Sequence, residues 1–174
     1  EAKALKVPFI VDNTVPSPYL LNPIEYGANI VIHSLTKYIA GNGTSLGGAV
    51  IDAGTFDWSS GKFPEFTEPS AAYHGLVYHE ALGNAAFIAK VRIEGLRDYG
   101  AALSPFNAFQ IIQGLETLPI RVQKHSENGL ALAQWLEKQE AVAWVNYPGL
   151  KSSKYYDLAT QYLPKGQNGL LTFG

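Results

Sequence analysis

Three short apolar runs, the first two followed by polar residues, constrain the fold of this chain most strongly. They cover residues 7–11, 28–32 and 47–52. Runs this short, bounded by proline, glycine and polar side chains, are typical of buried strands. Asn22 precedes a short stretch that ends at Gly27, which favours a short helix between the first two strands. Strand, helix, strand, loop and strand in this order predict an α/β sheet.

The rest of the sequence is predicted to be mainly helical, with helices over 80–97, 105–114, 119–139 and 155–162 and a short strand at 142–145. Ser104 and Pro105 begin the second helix, because serine caps helix starts and proline suits the first helical position. Apolar residues near one side of the third helix predict its buried face. These residues are Leu118, Val122, Leu132 and Leu136.

The third predicted helix, 119–139, is also the expected boundary between two domains. Residues 1–118 then belong to the first domain, and residues 140–174 begin the second. Residues 57–72 are rich in serine, proline, phenylalanine and glycine, and predict a long surface excursion. Its aromatic residues are expected to pack in a core or an interface. They are Trp58, Phe63 and Phe66.

Composition excludes several classes of function. The 174 residues carry a formal net charge of −2, which offers no basic surface for nucleic acid or for anionic membranes. The chain has no cysteine, so disulfides and thiolate metal sites are excluded, and we expect no metal site. With no signal peptide and no membrane-length apolar run, we expect a cytoplasmic protein. Because it lacks an initiator methionine and stops within a predicted strand, we expect a fragment of a longer polypeptide.

The residues with chemical potential follow the first two predicted strands. They are Asp12, Asn13 and Thr14 after the first strand, and Ser34, Thr36 and Lys37 after the second. In open α/β sheets, ligands bind beyond the carboxyl ends of the strands. One crossover usually places consecutive strands side by side. We therefore expect the two groups of residues to be neighbours.

Together these groups offer three kinds of interaction. The amine of Lys37, once unprotonated, can condense with an aldehyde. The hydroxyls of Ser34 and Thr36 can hold a phosphate dianion. A buried carboxylate from Asp12 would keep a pyridine nitrogen protonated, so that the ring withdraws electrons. A phosphorylated pyridine aldehyde needs all three.

Spacing by itself leaves simpler interpretations open. Lysine after Ser-x-Thr is common in loops, so Lys37 could be an ordinary surface residue. Residues 12–14 could form a turn or a helix cap. The glycines between 41 and 47 match neither the dinucleotide fingerprint nor a P-loop. The arginines of the predicted helices are expected to be solvated or ion-paired. They are Arg92, Arg97 and Arg121.

A resemblance to a known family resolves these alternatives. Residues 11–14, which read VDNT, and residues 27–38, which read GANIVIHSLTKY, resemble the cofactor signature of the Cys/Met-metabolism PLP-dependent enzymes. Residues 95–100, 103–108, 114–118 and the insertion around 58–76 resemble the sulfhydrylase branch of that family. The implied fold is that of fold type I PLP-dependent transferases, which resemble aspartate aminotransferase. Residues 1–118 would supply part of the large domain's mainly parallel sheet, 119–139 the interdomain helix, and 140–174 the start of the small α+β domain.

The resemblance also implies a role for each site residue. Lys37 would carry pyridoxal 5'-phosphate (PLP) and move protons at the α- and β-carbons of the substrate. Asp12 would partner the pyridine nitrogen, and Thr14 would help to seat the ring. Ser34 and Thr36 would bind the phosphate. Where the family often has Gly-His after the lysine, this chain has Gly41 and Asn42, and no role is assigned to Asn42.

The implied reaction is γ-replacement on O-acetyl-L-homoserine by sulfide, in a homotetramer whose active sites lie at dimer interfaces. A methionine γ-lyase or a cystathionine γ-synthase of the same family is the alternative enzyme, and a catalytically inactive α/β interaction module is the alternative without activity. The family's cofactor-stacking aromatic, phosphate loop and substrate-carboxylate arginine lie outside the resemblance. We therefore expect these 174 residues alone to have no turnover.

Overall fold

The structure is a computed structural model that describes all 174 residues. The strands are β1 (Ile10–Asp12), β2 (Ile30–Ser34), β3 (Gly48–Asp52), β4 (Val145–Asn146) and β5 (Thr172–Phe173). The α-helices are α1 (Ser17–Leu20), α2 (Pro64–Thr67), α3 (Tyr78–Leu82), α4 (Ala86–Lys90), α5 (Arg97–Tyr99), α6 (Pro105–Glu116), α7 (Leu118–Leu136) and α8 (Tyr156–Tyr162). Turns of 3-10 helix occur at Pro23–Tyr26, Ala71–Tyr73 and Gly83–Ala85, and π-helical turns at Leu35–Ile39 and Val91–Leu96.

The three apolar runs form strands of one sheet, as predicted, and the order of the strands is β1, β2, β3. β1 and β2 run parallel, with Ile10 paired to Ile30. Both strands begin later than predicted. The N–H groups of Asn29 and Ile30 converge on the carbonyl of Phe9, at 2.8 and 3.2 Å, so the regular ladder starts only beyond that residue.

The prediction that the first strand is buried is wrong. The side chain of Ile10 is 49% exposed and that of Phe9 is 43% exposed. Asp12, predicted to supply a buried carboxylate, is also exposed. Strands of a parallel sheet are buried only when helices cover both faces, and this strand of three residues lies largely open to solvent.

The chain divides into two compact units, each built from three segments. Unit 1 comprises Glu1–Asp12, Pro23–His33 and Gly47–Ala108. Unit 2 comprises Asn13–Asn22, Ser34–Leu46 and Phe109–Gly174. The chain therefore passes between the two units at the end of β1 and near the end of β2.

An aromatic cluster centred on Trp58 forms the core of unit 1. The Trp58 ring stacks on Phe87, with centroids 5.1 Å apart and an angle of 9°, and lies 4.4 Å from the Phe66 ring. Ile30 and Tyr78 are buried against the same cluster. The expected core packing of Trp58 and Phe66 is confirmed. The segment over 57–72 lies at the surface as predicted, with most of its residues exposed, but burial of these two rings anchors it, and it contains α2 and a 3-10 turn.

The helix predicted over 80–97 is broken into short segments. α3 ends at Leu82, and Gly83 follows with a φ of +52°, a conformation that glycine adopts without a steric penalty. α4, the π-helical turn and α5 then continue to Tyr99.

Unit 2 contains α6 from Phe109 onward and all of α7, and these two helices match those predicted at 105–114 and 119–139. Leu118, Val122 and Leu136 are buried as predicted, but Leu132 is 47% exposed and Ala133 is fully buried in its place. One residue along a helix is a rotation of about 100°, so the buried stripe includes Ala133 and leaves Leu132 in solvent. The strand predicted at 142–145 overlaps the observed β4 only at Val145, and β4 pairs antiparallel with β5. The helix predicted at 155–162 is observed as α8.

Tyr147→Phe is expected to lower the free energy of unfolding by about 1 kcal/mol, because the buried hydroxyl donates to the carbonyl of Asn168 at 2.8 Å. Burial also raises the pKa of Tyr147 from 10.0 to about 12. The unfolded phenol therefore loses its proton first, so this contribution is present below pH 10 and is lost as the pH rises towards about 12.

Urea unfolding of the full-length protein at neutral and at alkaline pH measures both effects. The variant should lose less stability in alkali than the parent. Tyr155→Phe, at an exposed tyrosine of the same unit, is the matched control. An equal alkaline loss in parent and Tyr147→Phe would contradict the assignment.

Candidate functional site

The two strand ends expected to be neighbours are joined by a hydrogen bond. The backbone N–H of Ser34 donates to Oγ1 of Thr14 at 2.8 Å. Parallel pairing of Asp12 with Ile32 sets up this contact, because it brings both strands to the same edge of the sheet. Thr14 is therefore a structural link as well as a predicted cofactor residue.

Asn13 holds the loop that carries Thr14, in agreement with the turn that the sequence leaves open at residues 12–14. Its side chain is 1% exposed. Its Nδ2 donates to the carbonyls of Ser17 at 3.2 Å and Leu21 at 2.9 Å. The N–H of Ser17 in turn donates to the Asn13 carbonyl at 3.0 Å. A short polar side chain after a strand suggests such a turn, but it does not identify the acceptors, which are carbonyls four and eight positions later in the chain.

Lys37 lies in the π-helical turn that directly follows β2. Its backbone, with φ −87° and ψ −122°, departs from helical values, so the chain bends at this residue. The N–H of Ala40 donates to the carbonyl of Leu35, and the N–H of Gly41 to that of Lys37, both at 2.9 Å. The turn is anchored because Ile39 and Ala40 are buried, at 6% and 3% exposed. Single π turns occur frequently at functional sites.

The side-chain amine of Lys37 is exposed and forms no hydrogen bond or ion pair. Ser34 and Thr36, both half-buried, place hydroxyl groups three residues and one residue before it. No carboxylate competes for the amine, and hydroxyl donors lie close by in the chain. This set of groups suits a phosphorylated aldehyde, because it combines a condensing amine with phosphate donors. Asp12, at the end of β1, is the remaining predicted site residue.

Arg121 corrects a prediction, since it is partly buried and bound to backbone carbonyls rather than fully solvated or ion-paired. Its guanidinium donates to the backbone carbonyls of Tyr38, Ile39 and Gly114. Burial lowers the pKa of the guanidinium from its usual value. The carbonyls of Tyr38 and Ile39 lie 83 and 82 positions away in sequence, so no local pattern could have identified this contact.

Other features of the structure lie away from these residues. A cleft of about 1000 Å³ in unit 1 is lined by residues that precede β1 and β2, including Phe9 and Asn29. Its lining also includes Thr55 and Phe56, which follow β3. The cleft is thus at the amino ends of the parallel strands β1 and β2, whereas ligands of α/β sheets bind at the carboxyl ends of parallel strands. No cluster of three or more histidine, aspartate or glutamate side chains is arranged to hold a metal ion. None of the helices has the length and hydropathy that crossing a bilayer requires.

An α/β sheet with an open lysine in the turn after a parallel strand, beside hydroxyl donors, is suited to a PLP-dependent enzyme. The chain belongs to the Cys/Met metabolism PLP-dependent enzyme family, whose sequence profile matches residues 1–174. The predicted fold class and the predicted cofactor are confirmed by this match and by a solved structure of the same type.

That solved structure is a Campylobacter jejuni protein described as an O-acetylhomoserine (thiol)-lyase, which contains a pyridoxyl-lysine phosphate. It matches with a TM-score of 0.94 and 40% identity, over 99% of this chain and 43% of the other. An O-acetyl-L-homoserine sulfhydrylase of Leptospira meyeri is 52% identical over 98% of this chain. A homocysteine/cysteine synthase of Saccharomyces cerevisiae is 48% identical over 97%. The chain spans 40% and 38% of the lengths of these two relatives.

Thr14→Val is expected to weaken the link between the two strand ends, because it removes the oxygen that accepts the Ser34 N–H. The loss of one such bond is about 1 kcal/mol. The Ser34 amide should therefore exchange its hydrogen several-fold faster, measured by hydrogen exchange on the full-length protein. Thr14→Ser keeps the acceptor and is the control. If the Ser34 amide is equally protected in Thr14→Val and in the parent, this hydrogen bond does not stabilise the contact between the two strand ends.

Proposed function

We propose that the protein catalyses PLP-dependent γ-replacement on O-acetyl-L-homoserine, in which sulfide displaces acetate to give L-homocysteine, a step towards methionine. The observation that carries the proposal is the open amine of Lys37 at the bend after a parallel strand. The names of the relatives from Leptospira meyeri and Saccharomyces cerevisiae support the choice of substrate.

Lys37 is the proposed catalytic residue. Bound PLP would withdraw electrons from the substrate, which makes the hydrogen on the substrate α-carbon acidic. The Lys37 amine would carry the cofactor before the substrate arrives, accept the proton from the α-carbon and then move protons at the β-carbon. Its exposure and its lack of a carboxylate partner leave it free for both tasks.

The remaining predicted residues would hold the cofactor. Asp12 would accept a hydrogen bond from the protonated pyridine nitrogen and keep the proton there. Thr14 would help to seat the ring, and Ser34 and Thr36 would donate hydroxyl hydrogen bonds to the phosphate. The half-buried positions of these three hydroxyl residues suit donors that serve a ligand at the surface of the turn.

The overall reaction needs no oxidant or reductant. The bond between the γ-carbon and the ester oxygen breaks, and acetate leaves with the bonding pair. Hydrosulfide supplies the pair for the new carbon–sulfur bond. The proton that leaves the α-carbon is returned to it at the end, so the amino acid keeps its amino group.

The proposal extends to assembly and organisation. We place the enzyme in the cytoplasm as a homotetramer whose active sites lie at dimer interfaces. Residues 1–118 would be part of its large domain, 119–139 the interdomain helix and 140–174 the start of its C-terminal domain. The single helix α7 across most of 119–139 supports this division.

Borohydride reduction of the full-length protein loaded with PLP is expected to fix the cofactor to Lys37, as mapped by peptide mass spectrometry. Lys37→Ala should lose the yellow colour of the bound cofactor and lower kcat by at least about a thousandfold, since covalent attachment and proton transfer both fail. Lys151→Ala, at an exposed lysine of the same unit, is the matched control.

Product analysis separates the proposal from its alternatives. Homocysteine and acetate formed in equal amounts support γ-replacement by sulfide. A 2-oxo acid with ammonia would instead indicate the γ-lyase, and cystathionine formed from cysteine would indicate the cystathionine γ-synthase. A colourless protein whose Lys37 stays unmodified after exposure to PLP and borohydride would favour the inactive interaction module.

A further inference from the structure

One arginine of α7 binds the turn that bears Lys37. We call its hydrogen bonds to the carbonyls of Tyr38 and Ile39 the Arg121 grip. Nη1 of Arg121 donates to the carbonyl of Tyr38 at 2.8 Å, and Nη2 donates to the carbonyl of Ile39 at 3.2 Å. Nη2 also reaches the carbonyl of Gly114 at 2.7 Å. Nε donates to Oγ1 of Thr117 at 3.0 Å. The guanidinium therefore connects the two residues after Lys37 to the junction of α6 and α7.

No carboxylate neutralises the Arg121 charge. The salt bridges of the structure are Lys90 with Glu94 and Lys124 with Glu127. A partly buried cation without an acid partner is costly unless its donors are satisfied. The carbonyls at the end of a helical turn lack partners within the turn and carry partial negative charge. Arg121 satisfies the carbonyls of Tyr38 and Ile39 and is stabilised by them in return.

Two glycines allow close packing around the same turn, because neither has a side chain. A Cβ added to Gly41, whose φ is +79°, would lie 2.6 Å from Cζ of Arg121. A Cβ added to Gly114 of α6 would lie 2.1 Å from the carbonyl oxygen of Ala40. Both glycines thus let the backbone of residues 38–41 approach the arginine and the helix more closely than any side chain permits.

We infer that Arg121 is a positioning residue for Lys37: its planar fork fixes the carbonyls immediately after the lysine and thereby the direction in which the amine leaves the turn. The inference rests on the proposed role of Lys37. Lysine at position 121 would keep the charge but could not bridge several carbonyls with fixed geometry. Misplacement of a reacting group by about 1 Å can lower a rate about a hundredfold.

Hydrogen exchange on the cofactor-free full-length protein tests, independently of PLP, whether the Arg121 grip holds the turn after Lys37. In Arg121→Lys, the amides of Ala40 and Gly41 should exchange about tenfold faster than in the parent, because the turn that their hydrogen bonds close is released. Arg92→Lys, at an exposed arginine of unit 1, should leave both amides unchanged. Unchanged exchange in Arg121→Lys would overturn the inference.

Kinetics of the PLP-loaded enzyme distinguish positioning from mere stability. Arg121→Lys should lower kcat by about 10- to 100-fold while KM stays within about threefold, since the lost interaction serves the reacting geometry. The pH at which the visible absorbance of the bound cofactor changes should also shift. Faster exchange with unchanged kcat and unchanged absorbance would show a structural residue only, and would overturn the inference.

A second pair of variants keeps the test valid if Arg121→Lys fails to fold. Thr117→Val removes the oxygen that orients Nε and should reproduce a smaller loss of kcat, whereas Thr117→Ser retains the oxygen and should restore the parent value. Equal kcat in Thr117→Val and parent would count against the grip. If borohydride fails to fix PLP to Lys37 in the parent protein, the proposed function is refuted. The hydrogen-exchange result on the Arg121 grip would still stand.

Discussion

Parallel pairing of β1 with β2 is the constraint on which the candidate site depends. The register, with Val11 opposite Val31 and Asp12 opposite Ile32, brings the carboxyl ends of both strands to one edge of the sheet. A slip by one residue would turn every side chain to the other face. Lys37 owes its place to this register rather than to any bond of its own amine, because it follows β2 directly through the turn Leu35–Ile39.

Around Lys37 the backbone is fixed while the reactive group is left open. The turn is held by its own hydrogen bonds, by the buried side chains of Ile39 and Ala40, and by the guanidinium of Arg121. Because the backbone is already fixed, only the lysine side chain has to be ordered when a ligand binds, and pre-organisation of the backbone lowers the entropy cost of the reacting geometry. The helices α6 and α7 thus take part in the site even though neither carries a predicted cofactor residue.

Unit 1 depends on aromatic packing more than on regular secondary structure. Trp58 fixes the segment over 57–72 by contact with Phe66 and Phe87. The rim of the cluster is polar, since the Tyr78 hydroxyl donates to Glu94 at 3.0 Å and Lys90 pairs with the same carboxylate at 2.7 Å. These contacts explain how short, interrupted helices remain ordered. Helices of one or two turns are not stable by themselves, so their stability comes from the burial of the aromatic rings.

The sequence by itself determined the three strands and the long helices α6 and α7, because these depend on local apolar periodicity. A motif of contiguous residues also predicts Lys37 as the cofactor lysine. Only the tertiary structure decided that Asp12 is exposed, that Trp58 and Phe66 anchor the segment over 57–72 to a core, and that Arg121 binds the carbonyls of the turn after Lys37. Burial and hydrogen-bond partners depend on residues tens of positions away, which the folded chain brings together and which no local pattern records.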